Sequence, residues 1–474
     1  MGTIAIELSD AGVLAAGGDP PRVLEVDQHT TESPGYAVQL KKQLLLGREA
    51  LEQARLHPRQ VNNRYWSQLS TNPLPDKTAT VRNYAELAFA HLNCIRDNLP
   101  ESADDWVFAV PGYLDETKLA ILLGVANELS VPIKGLVSGA VAAIRCTTTR
   151  QPMIHIDVHL HCVEITRLQQ GMQIVLEKTQ VIPENGWHDL TELLAKSLTN
   201  EFVKSTRFDP LHVASTEQQL HNQLATILRK GPGGQGFPIE LKTGRTAYSL
   251  SVLPQMLTAA TSALRDKIKN SVQLLANQSV GDQCVASVQL SHRAAMVPGL
   301  RDDLQSLLDF DVEELPAGAG AMGALQLADS FANERASKGA ALFTSRSRHP
   351  EEQNIAGPAA STSASHAPDD DPTHLLYKDR AYPIETQPLV IGTALTPEDT
   401  GVVISTQVGN VAARHCSVLR ENGRPVLEVL ASNETFVDGV PASGRIALVT
   451  GQCIRLGDPP QNLRPIFVVS SHGA

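Results

Sequence analysis

A low-complexity segment at residues 333–372 limits the chain to two separate folding units. It contains the run RSRHPEEQNIAGPAASTSASHAPDDDP, which is rich in Ser, Ala, Pro and Asp and shows no apolar periodicity. A stretch of this composition cannot bury enough apolar surface to offset the entropy lost on ordering it, so it predicts a disordered linker. We therefore expect one domain at residues 1–332, a linker at 333–372 and a second domain at 373–474.

Charge and cysteine content restrict the partners and the compartment. The formal net charge is -11, and no basic run supplies the Lys and Arg that binding to nucleic acid or an anionic membrane requires. The six cysteines are scattered without a C-x-x-C pair, which suits a reducing compartment. No secretory signal and no apolar run of about 18 residues is visible. These features predict a cytoplasmic protein with protein partners and without nucleic-acid or membrane partners.

Apolar periodicity differs on the two sides of the linker. Before it, short apolar runs at Thr3–Leu8, Trp106–Val110, Met153–Asp157 and Val285–Leu290 predict buried strands, and amphipathic helices such as Asp115–Leu129 lie between them. This alternation predicts a layered α/β domain. After the linker, short β-rich runs such as PLVIG, GVVIST and VLEVL are separated by Gly, Pro, Asn and Asp, which predicts an all-β sandwich.

Six segments of the first domain, in their order along the chain, resemble landmarks of the actin-like ATPase superfamily and, within it, of DnaK-type (Hsp70-like) heat-shock chaperones. They are TIAIELSDAG (3–12), LLLGREALEQARLHP (44–58), VPGYLDETKLAILLGVANELSVPIKGLVSGAVAA (110–143), MIHIDVHLHCVEITRL (153–168), ENGWHDLTELLA (184–195), and SVQLSHRAAMVPGL with LPAGAGAMGALQLA (287–328). The resemblance covers residues 3–330 and implies an actin-like, ribonuclease H-like fold of two lobes. In that family ATP and Mg²⁺ bind between the lobes, and backbone N–H groups of two hairpin turns hold the phosphates.

The loops that would hold the nucleotide depart from the family pattern. The first loop, D-L-G-T-T in the family, reads ELSDA at 7–11, and the second, D-L-G-G-G-T, reads DVHLHC at 157–162. The adenosine loop G-G-S-T-R-I-P becomes SHRAAMVP at 291–298. Side chains in place of loop glycines should fill the phosphate site and disfavour positive φ. The resemblance assigns to this remnant nucleotide cleft the residues Glu7, Ser9, Asp10, Asp157, His159, Gly186 and His292.

The second loop also carries a histidine cluster with two interpretations. His155, Asp157, His159 and His161 recur with a period of two. On one continuous strand all four would point to one face, where they could ligate Zn²⁺. A hairpin turn at Val158–His161 would break this alternation and leave ordinary loop histidines. We favour the turn and predict no metal site.

The second domain resembles a forkhead-associated (FHA) domain, a β-sandwich that reads phosphothreonine. The family motifs G-R, S-R-x-H, N-G-T-x-V-N-G and G-D correspond here to GT at 392–393, AARH at 412–415, NETFVDG at 433–439 and GD at 457–458. The family's phosphate ligands, an arginine and a serine, are replaced by Thr393 and Ala412, and His415 is expected to brace loops. Arg414 remains as a cation. The resemblance assigns peptide binding to Thr393, Arg414, Asn433 and Thr435.

Together these patterns predict a non-catalytic cytoplasmic adaptor. A pseudo-ATPase domain without catalytic residues or a cofactor is tethered to an FHA-like protein-docking domain. Docking without phosphate is favoured over recognition of a phosphothreonine protein. The alternative function is a divergent chaperone-like ATPase that binds ATP and Mg²⁺ and is recruited to clients through its FHA domain.

Overall fold

The computed structural model describes two compact units, Met1–Gly357 and Pro358–Ala474. The described residues are 2–347 and 372–466, with gaps at 42, 75–80, 101–102, 147–150, 172, 231–235, 278–284, 286, 309–310, 335–341, 378–379, 397–398, 406–408, 422–423, 432–434, 438–439, 443, 449–451, 453 and 458–460. Most of the predicted linker, at 335–341 and 348–371, lies outside the described residues, so its disorder stays a prediction.

The first unit alternates strands and helices. In chain order its elements are β1 (Gly2–Glu7), β2 (Val13–Gly17), β3 (Arg22–Leu24), β4 (Glu32–Ser33), β5 (Ala37–Gln39), β6 (Leu44–Leu46), α1 (Gly47–Leu51), β7 (Val61–Asn62), α2 (Tyr84–Asn98), β8 (Ala103–Val110), α3 (Glu116–Glu128), β9 (Ile133–Ser138), α4 (Gly139–Ala143), β10 (Met153–Val158), β11 (Cys162–Gln170), β12 (Gln173–Pro183), α5 (Trp187–Thr206), α6 (Ala214–Lys230), β13 (Phe237–Thr243), β14 (Thr246–Val252), α7 (Pro254–Ala260), α8 (Ser262–Asn277), β15 (Ser287–Leu290), α9 (His292–Ala295), α10 (Leu300–Leu308), β16 (Asp311–Glu314), α11 (Ala319–Glu334), β17 (Leu342–Phe343) and β18 (Ser345–Ser347). The mixed α/β class expected from the periodicity is confirmed. Helix α3 lies within the predicted range, and Asp115 caps its first turn by accepting the Lys118 N–H.

Two larger sheets organise this unit, and each has its own core. The first sheet runs β17-β9-β8-β1-β2-β3, and the second runs β16-β15-β10-β11-β12-β18. In both sheets a parallel pair adjoins an antiparallel hairpin: β1 pairs parallel with β8 and antiparallel with β2, while β10 pairs parallel with β15 and antiparallel with β11. A shared apolar cluster joins the sheets, with Val107 of the first packed in the same cluster as Met153 and Leu168 of the second.

Regular secondary structure extends beyond residue 333, where the sequence predicted that the linker begins. The predicted start of the linker is therefore too early. α11 continues to Glu334, β17 adds a strand beside β9 in the first sheet, and β18 adds one beside β12 in the second. Arg346, 9% exposed, donates hydrogen bonds to the carbonyl oxygens of Val141 (3.0 Å) and Ile144 (2.9 Å). The composition of the segment did not predict these two strands, because they pair with sheet edges that are formed by residues far away in the sequence.

The second unit contains antiparallel strands in two sheets. Its elements are β19 (His374–Tyr377), β20 (Arg380–Pro383), β21 (Leu389–Gly392), β22 (Thr400–Val403), β23 (Cys416–Glu421), β24 (Arg424–Val429), β25 (Thr435–Val437), β26 (Val440–Pro441), β27 (Arg445–Ala447), β28 (Ile454–Leu456) and β29 (Gln461–Ile466). One sheet runs β20-β19-β29-β28-β25-β26 and the other β22-β21-β23-β24-β27, and only the β21–β22 pair among the recorded pairs of these sheets is parallel. One apolar cluster, including Leu375, Ile391 and Leu456, forms the core.

No helix in the described part of either unit has the length and apolar character needed to cross a membrane.

Candidate functional site

Two turns that the sequence analysis assigned to phosphate binding touch each other directly. Turn 1 (residues 8–12) follows β1, and turn 2 (residues 159–161) joins β10 to β11. Ser9 Oγ and His159 Nδ1 are hydrogen-bonded at 3.0 Å, and the Leu160 N–H donates to Asp10 Oδ1 at 2.6 Å. Ser9 and Asp10 are each 1% exposed. The side chains that replace loop glycines therefore fill the gap between the two turns.

The N-terminus of α5 packs against the other side of turn 2. The Trp187 and His188 N–H groups donate to the carbonyl oxygens of His159 (2.8 Å) and Leu160 (2.9 Å). Gly186 permits this approach, because a Cβ atom there would lie 2.5 Å from the backbone nitrogen of His161. Free N–H groups at a helix N-terminus can bind an anion. In this chain the carbonyl oxygens of turn 2 already accept hydrogen bonds from two of these N–H groups.

A small cavity lies at the end of β1 and β10, with a volume of about 20 Å³. This space holds about one water molecule. Its polar lining consists of Glu7, His155, Asp157, His159, Glu164, Ser291 and His292. Four predicted cleft residues, Glu7, Asp157, His159 and His292, therefore meet at one cavity, while Ser9, Asp10 and Gly186 hold turn 2 beside it.

His159 lies between two carboxylates. Its Nε2 atom is 3.7 Å from Asp157 Oδ2 and 3.6 Å from Glu164 Oε2, and its ring makes an edge contact with Tyr113. Burial by itself lowers the pKa of the imidazole, but the attraction of Asp157 and Glu164 outweighs it and raises the pKa to about 9. For Asp157, burial acts to raise the pKa, whereas His159 and Arg293 lower it well below its usual range. The two carboxylates therefore favour the protonated form of His159.

A second ion pair links the buried Arg293 at the start of α9 to the partly exposed Glu32 of β4. Arg293, 2% exposed, donates from Nε to Glu32 Oε1 at 2.9 Å and from a terminal nitrogen to the Gly12 carbonyl at 2.6 Å. Burial acts to raise the pKa of Glu32, but Arg293 and His292 lower it to about 2. Glu7 lies nearby, accepts the Ala321 N–H at 3.0 Å, and has its pKa raised mainly by burial.

Sequence reasoning missed Glu32, Glu164 and Arg293. A signal existed for Glu164, because it stands opposite Asp157 once the hairpin register is drawn. Arg293 and Glu32 are 261 positions apart and carry no such local signal.

A further set of contacts links the segment after α1 to α5 and α6. Arg55, just after α1, forms ion pairs with Glu192 of α5 and, at 3.2 Å, with Glu217 of α6. Gln218 accepts the Arg55 backbone N–H at 2.7 Å and donates to the Leu51 carbonyl at 3.1 Å.

The four-residue alternation of the histidine cluster is broken by turn 2, so its histidines have different surroundings. His155 lies on β10 and lines the cavity, whereas His161 Nε2 lies 2.9 Å from the Asn63 carbonyl oxygen. The hairpin predicted at Val158–His161 is present. Within the part of the chain that the structure describes, no three His, Cys, Asp or Glu side chains are arranged to hold a metal ion.

In the second unit, the residues that the sequence assigned to peptide binding differ in exposure and in hydrogen-bond partners. The Thr393 N–H donates to the Ala412 carbonyl at 3.1 Å. Arg414 is half exposed and pairs with Asp399 at 3.1 Å. Asn433 lies outside the described residues. Thr435 is 1% exposed, which corrects its assignment as a peptide contact.

The hydroxyl of Thr435 belongs instead to an internal brace. His415 is fully buried, its Nδ1 accepts the Ala412 N–H at 3.2 Å, and its Nε2 lies 3.0 Å from Thr435 Oγ1. The bracing role expected for His415 matches these bonds.

No protein-family model matches the chain. A search of curated proteins likewise found no significant match.

Proposed function

We propose that this chain is a non-catalytic cytoplasmic adaptor. Its first unit is a degenerate DnaK-type nucleotide-binding domain of actin-like fold, and its second is an FHA-like protein-docking domain. The motifs quoted from the sequence support both family assignments. The cytoplasmic location is supported by the scattered cysteines, of which Cys94, Cys146, Cys162 and Cys416 are free thiols.

One observation carries the proposal for the first unit: turn 1 and turn 2 are hydrogen-bonded to each other where phosphates would have to enter. Small-molecule sites are typically about 300–1,000 Å³. The cavity beside these turns is about 20 Å³. ATP would fit only after both contacts between the turns, Ser9–His159 and Asp10–Leu160, had been broken.

The charges of the cleft support the same function. The carboxylates of Asp157 and Glu164 face the His159 imidazolium, and that of Glu32 faces Arg293. A Mg²⁺ ion bound with ATP would compete with these internal cations for the same oxygens. The unit is therefore a closed scaffold at neutral pH.

Calorimetry with ATP and Mg²⁺ tests this part of the proposal. The full chain should show no micromolar binding, and its phosphate release should equal that of a protein-free blank. Micromolar affinity that disappears in Asp157→Ala would overturn the proposal, because it would show a working nucleotide site built on that carboxylate.

For the second unit we propose docking that does not require phosphate. A phosphate group carries nearly two negative charges, and its binding needs unpaired donors. Thr393 provides a neutral hydroxyl and Ala412 no side-chain donor. Arg414, the remaining cation of the motif, is already paired with Asp399. Its charge is therefore partly neutralised within the domain.

A peptide library in phosphorylated and unphosphorylated copies tests the docking mode on the full chain. Equal binding of both sets is expected. A strong preference for phosphothreonine that is lost in Arg414→Ala would show that Arg414 leaves Asp399 to bind phosphate, and the phosphate-independent proposal would be wrong.

A further inference from the structure

A second concave region of the first unit is larger than the cavity beside turns 1 and 2. It lies between the β3–β4 loop, β6, α1 and α2, and has a volume of about 440 Å³. Small-molecule sites are typically about 300–1,000 Å³, so this volume is large enough for an organic ligand. We call this region the acidic pocket, and its lining includes Glu25, Asp27, Glu49, Leu44, Leu46 and Cys94.

Asp27 is the buried carboxylate of the acidic pocket. The residue is 6% exposed, and its Oδ2 accepts hydrogen bonds from the Ser33 hydroxyl at 2.7 Å and from the Arg48 backbone N–H at 2.8 Å. Among the described residues, no hydrogen bond or ion pair reaches its Oδ1. A buried carboxylate without a cation is unfavourable. One oxygen of Asp27 is therefore available to a ligand in the pocket.

Gly47 fixes the position of this carboxylate. Its φ is +60°, and a Cβ atom at this position would overlap the Asp27 carboxylate and lie 2.6 Å from Ser33 Oγ. Glycine adopts this left-handed conformation without strain, and the backbone between β6 and α1 can therefore approach Asp27 closely. The fold thus orients the carboxylate before any ligand is present.

The charges around the acidic pocket are negative. Glu25 and Glu49 add two exposed carboxylates, and no Lys or Arg side chain lines the pocket in the part of the chain that the structure describes. His29 Nδ1 is 3.4 Å from Glu25 Oε2, but the His29 side chain is 96% exposed. Burial raises the pKa of the Cys94 thiol, and the negative charge of nearby carboxylates, Asp27 first, raises it further. A cation would therefore be attracted to the pocket.

We propose that the acidic pocket binds an organic cation, an alkylammonium or alkylguanidinium group, whose charge pairs with Asp27 and whose methylene chain packs on Leu44 and Leu46. This chemistry is shared by the lysine and arginine side chains of a partner protein and by free diamines. Such groups bury their methylene chain on apolar surface and pair their charged end with a carboxylate. None of the residues that line the cavity beside turns 1 and 2 lines this pocket, so a ligand can enter while the two turns stay in contact.

The test is calorimetric titration of the full chain at low ionic strength, where charge pairing is least screened. The two probes are the diamine cadaverine and the blocked peptide acetyl-Gly-Lys-Gly-amide, and at least one should bind with a Kd on the order of 1 mM or tighter. The uncharged matches, the diol of the same chain length and the peptide with an acetylated lysine, should not bind measurably.

Asp27→Asn removes the charge but keeps an oxygen for Ser33 and the Arg48 N–H. It should weaken binding about tenfold or more, because a charge-assisted contact is lost. Glu116→Gln is the matched control, since it removes an exposed carboxylate of α3 outside the pocket, and it should bind as the native chain does. If Asp27→Asn does not fold, Glu25→Gln combined with Glu49→Gln, at two exposed positions, should also weaken binding.

Alkylation of Cys94 by iodoacetamide, followed by mass spectrometry, locates the bound probe. Cys94 lines the pocket and is partly exposed, whereas Cys146, Cys162 and Cys416 are buried. At about ten times its Kd, a probe in the pocket should slow Cys94 alkylation about tenfold, because only the free protein reacts.

The pattern of protection identifies the source of the cation. Protection by the peptide alone would assign the pocket to a basic side chain of a partner, protection by cadaverine alone would assign it to a free amine, and protection by both would show that the cation is recognised whatever carries it. No protection by either probe would overturn the inference. Equal protection by the uncharged matches, or equal protection in the native chain and Asp27→Asn, would also overturn it. None of these results would change the proposal of a closed nucleotide cleft, which the ATP titration tests separately.

Discussion

A fully buried histidine in the first unit should make its stability depend on pH. His91 of α2 lies in a chain of hydrogen bonds in which Trp66 Nε1–H donates to its Nδ1 at 3.1 Å, and its Nε2 lies 2.8 Å from Ser33 Oγ. The Ser33 hydroxyl in turn donates to Asp27 Oδ2 at 2.7 Å. Because an indole N–H can only donate, Nδ1 must carry a lone pair, and the ring is neutral.

Burial without a nearby carboxylate partner lowers the pKa of His91 to about 3. An unfolded histidine has a pKa of about 6.5, so the unfolded state binds more protons between these values and acid favours unfolding. This contribution to stability is complete above pH 6.5 and is lost as the pH falls toward 3. The free energy of unfolding should drop by about 2 kcal/mol between pH 7.5 and 5.0 from His91 alone, and by roughly 4 kcal/mol between pH 7.5 and 3.

Urea titrations at pH 7.5 and 5.0, followed by tryptophan fluorescence, measure this loss. All three tryptophans, Trp66, Trp106 and Trp187, belong to the first unit, so the signal reports its unfolding. His91→Gln should be less stable at pH 7.5 but lose about 2 kcal/mol less than the native chain on acidification. His29→Gln is the control, because the His29 side chain is 96% exposed. Equal losses in the native chain and His91→Gln would refute the reasoning.

Three further predictions follow from packing. Gly186→Ala should lower the free energy of unfolding by about 1–3 kcal/mol in the same titration, because the added Cβ would overlap the backbone of turn 2. Gly124→Ala in α3 is the control and should raise it by up to about 1 kcal/mol, because no atom lies within 4 Å of the added Cβ. Equal effects of the two substitutions would contradict this. Thr435→Val should lower the calorimetric transition of the second unit, with a loss of about 1 kcal/mol for the bond to the buried His415; an unchanged transition would argue against the brace. Limited proteolysis with mass spectrometry should cut within 348–371 and spare β17 and β18, and early cuts at 342–347 would disprove their pairing with the two sheets.

Local patterns in the sequence were enough to predict the mixed α/β class of the first unit and several of its strands. The apolar runs at Trp106–Val110 and Met153–Asp157 became β8 and β10, because strand formation depends on neighbours along the chain. The side chains of Ser9 and His159 lie in the turns after β1 and β10 and are hydrogen-bonded to each other. The presence of a side chain at a turn is a local property that the sequence states directly, whereas its partner is not.

Only the tertiary structure decided which side chains meet. Arg293 pairs with Glu32 across 261 positions, and the carboxylates around His159 come from opposite sides of a hairpin. Thr435 matched a binding motif but packs inward on His415. β17 and β18 formed in a segment that begins the predicted linker, because they complete sheet edges far away in sequence. Ion pairs and strand partners of this kind depend on the packing of distant elements, and periodicity along the chain carries no information about it.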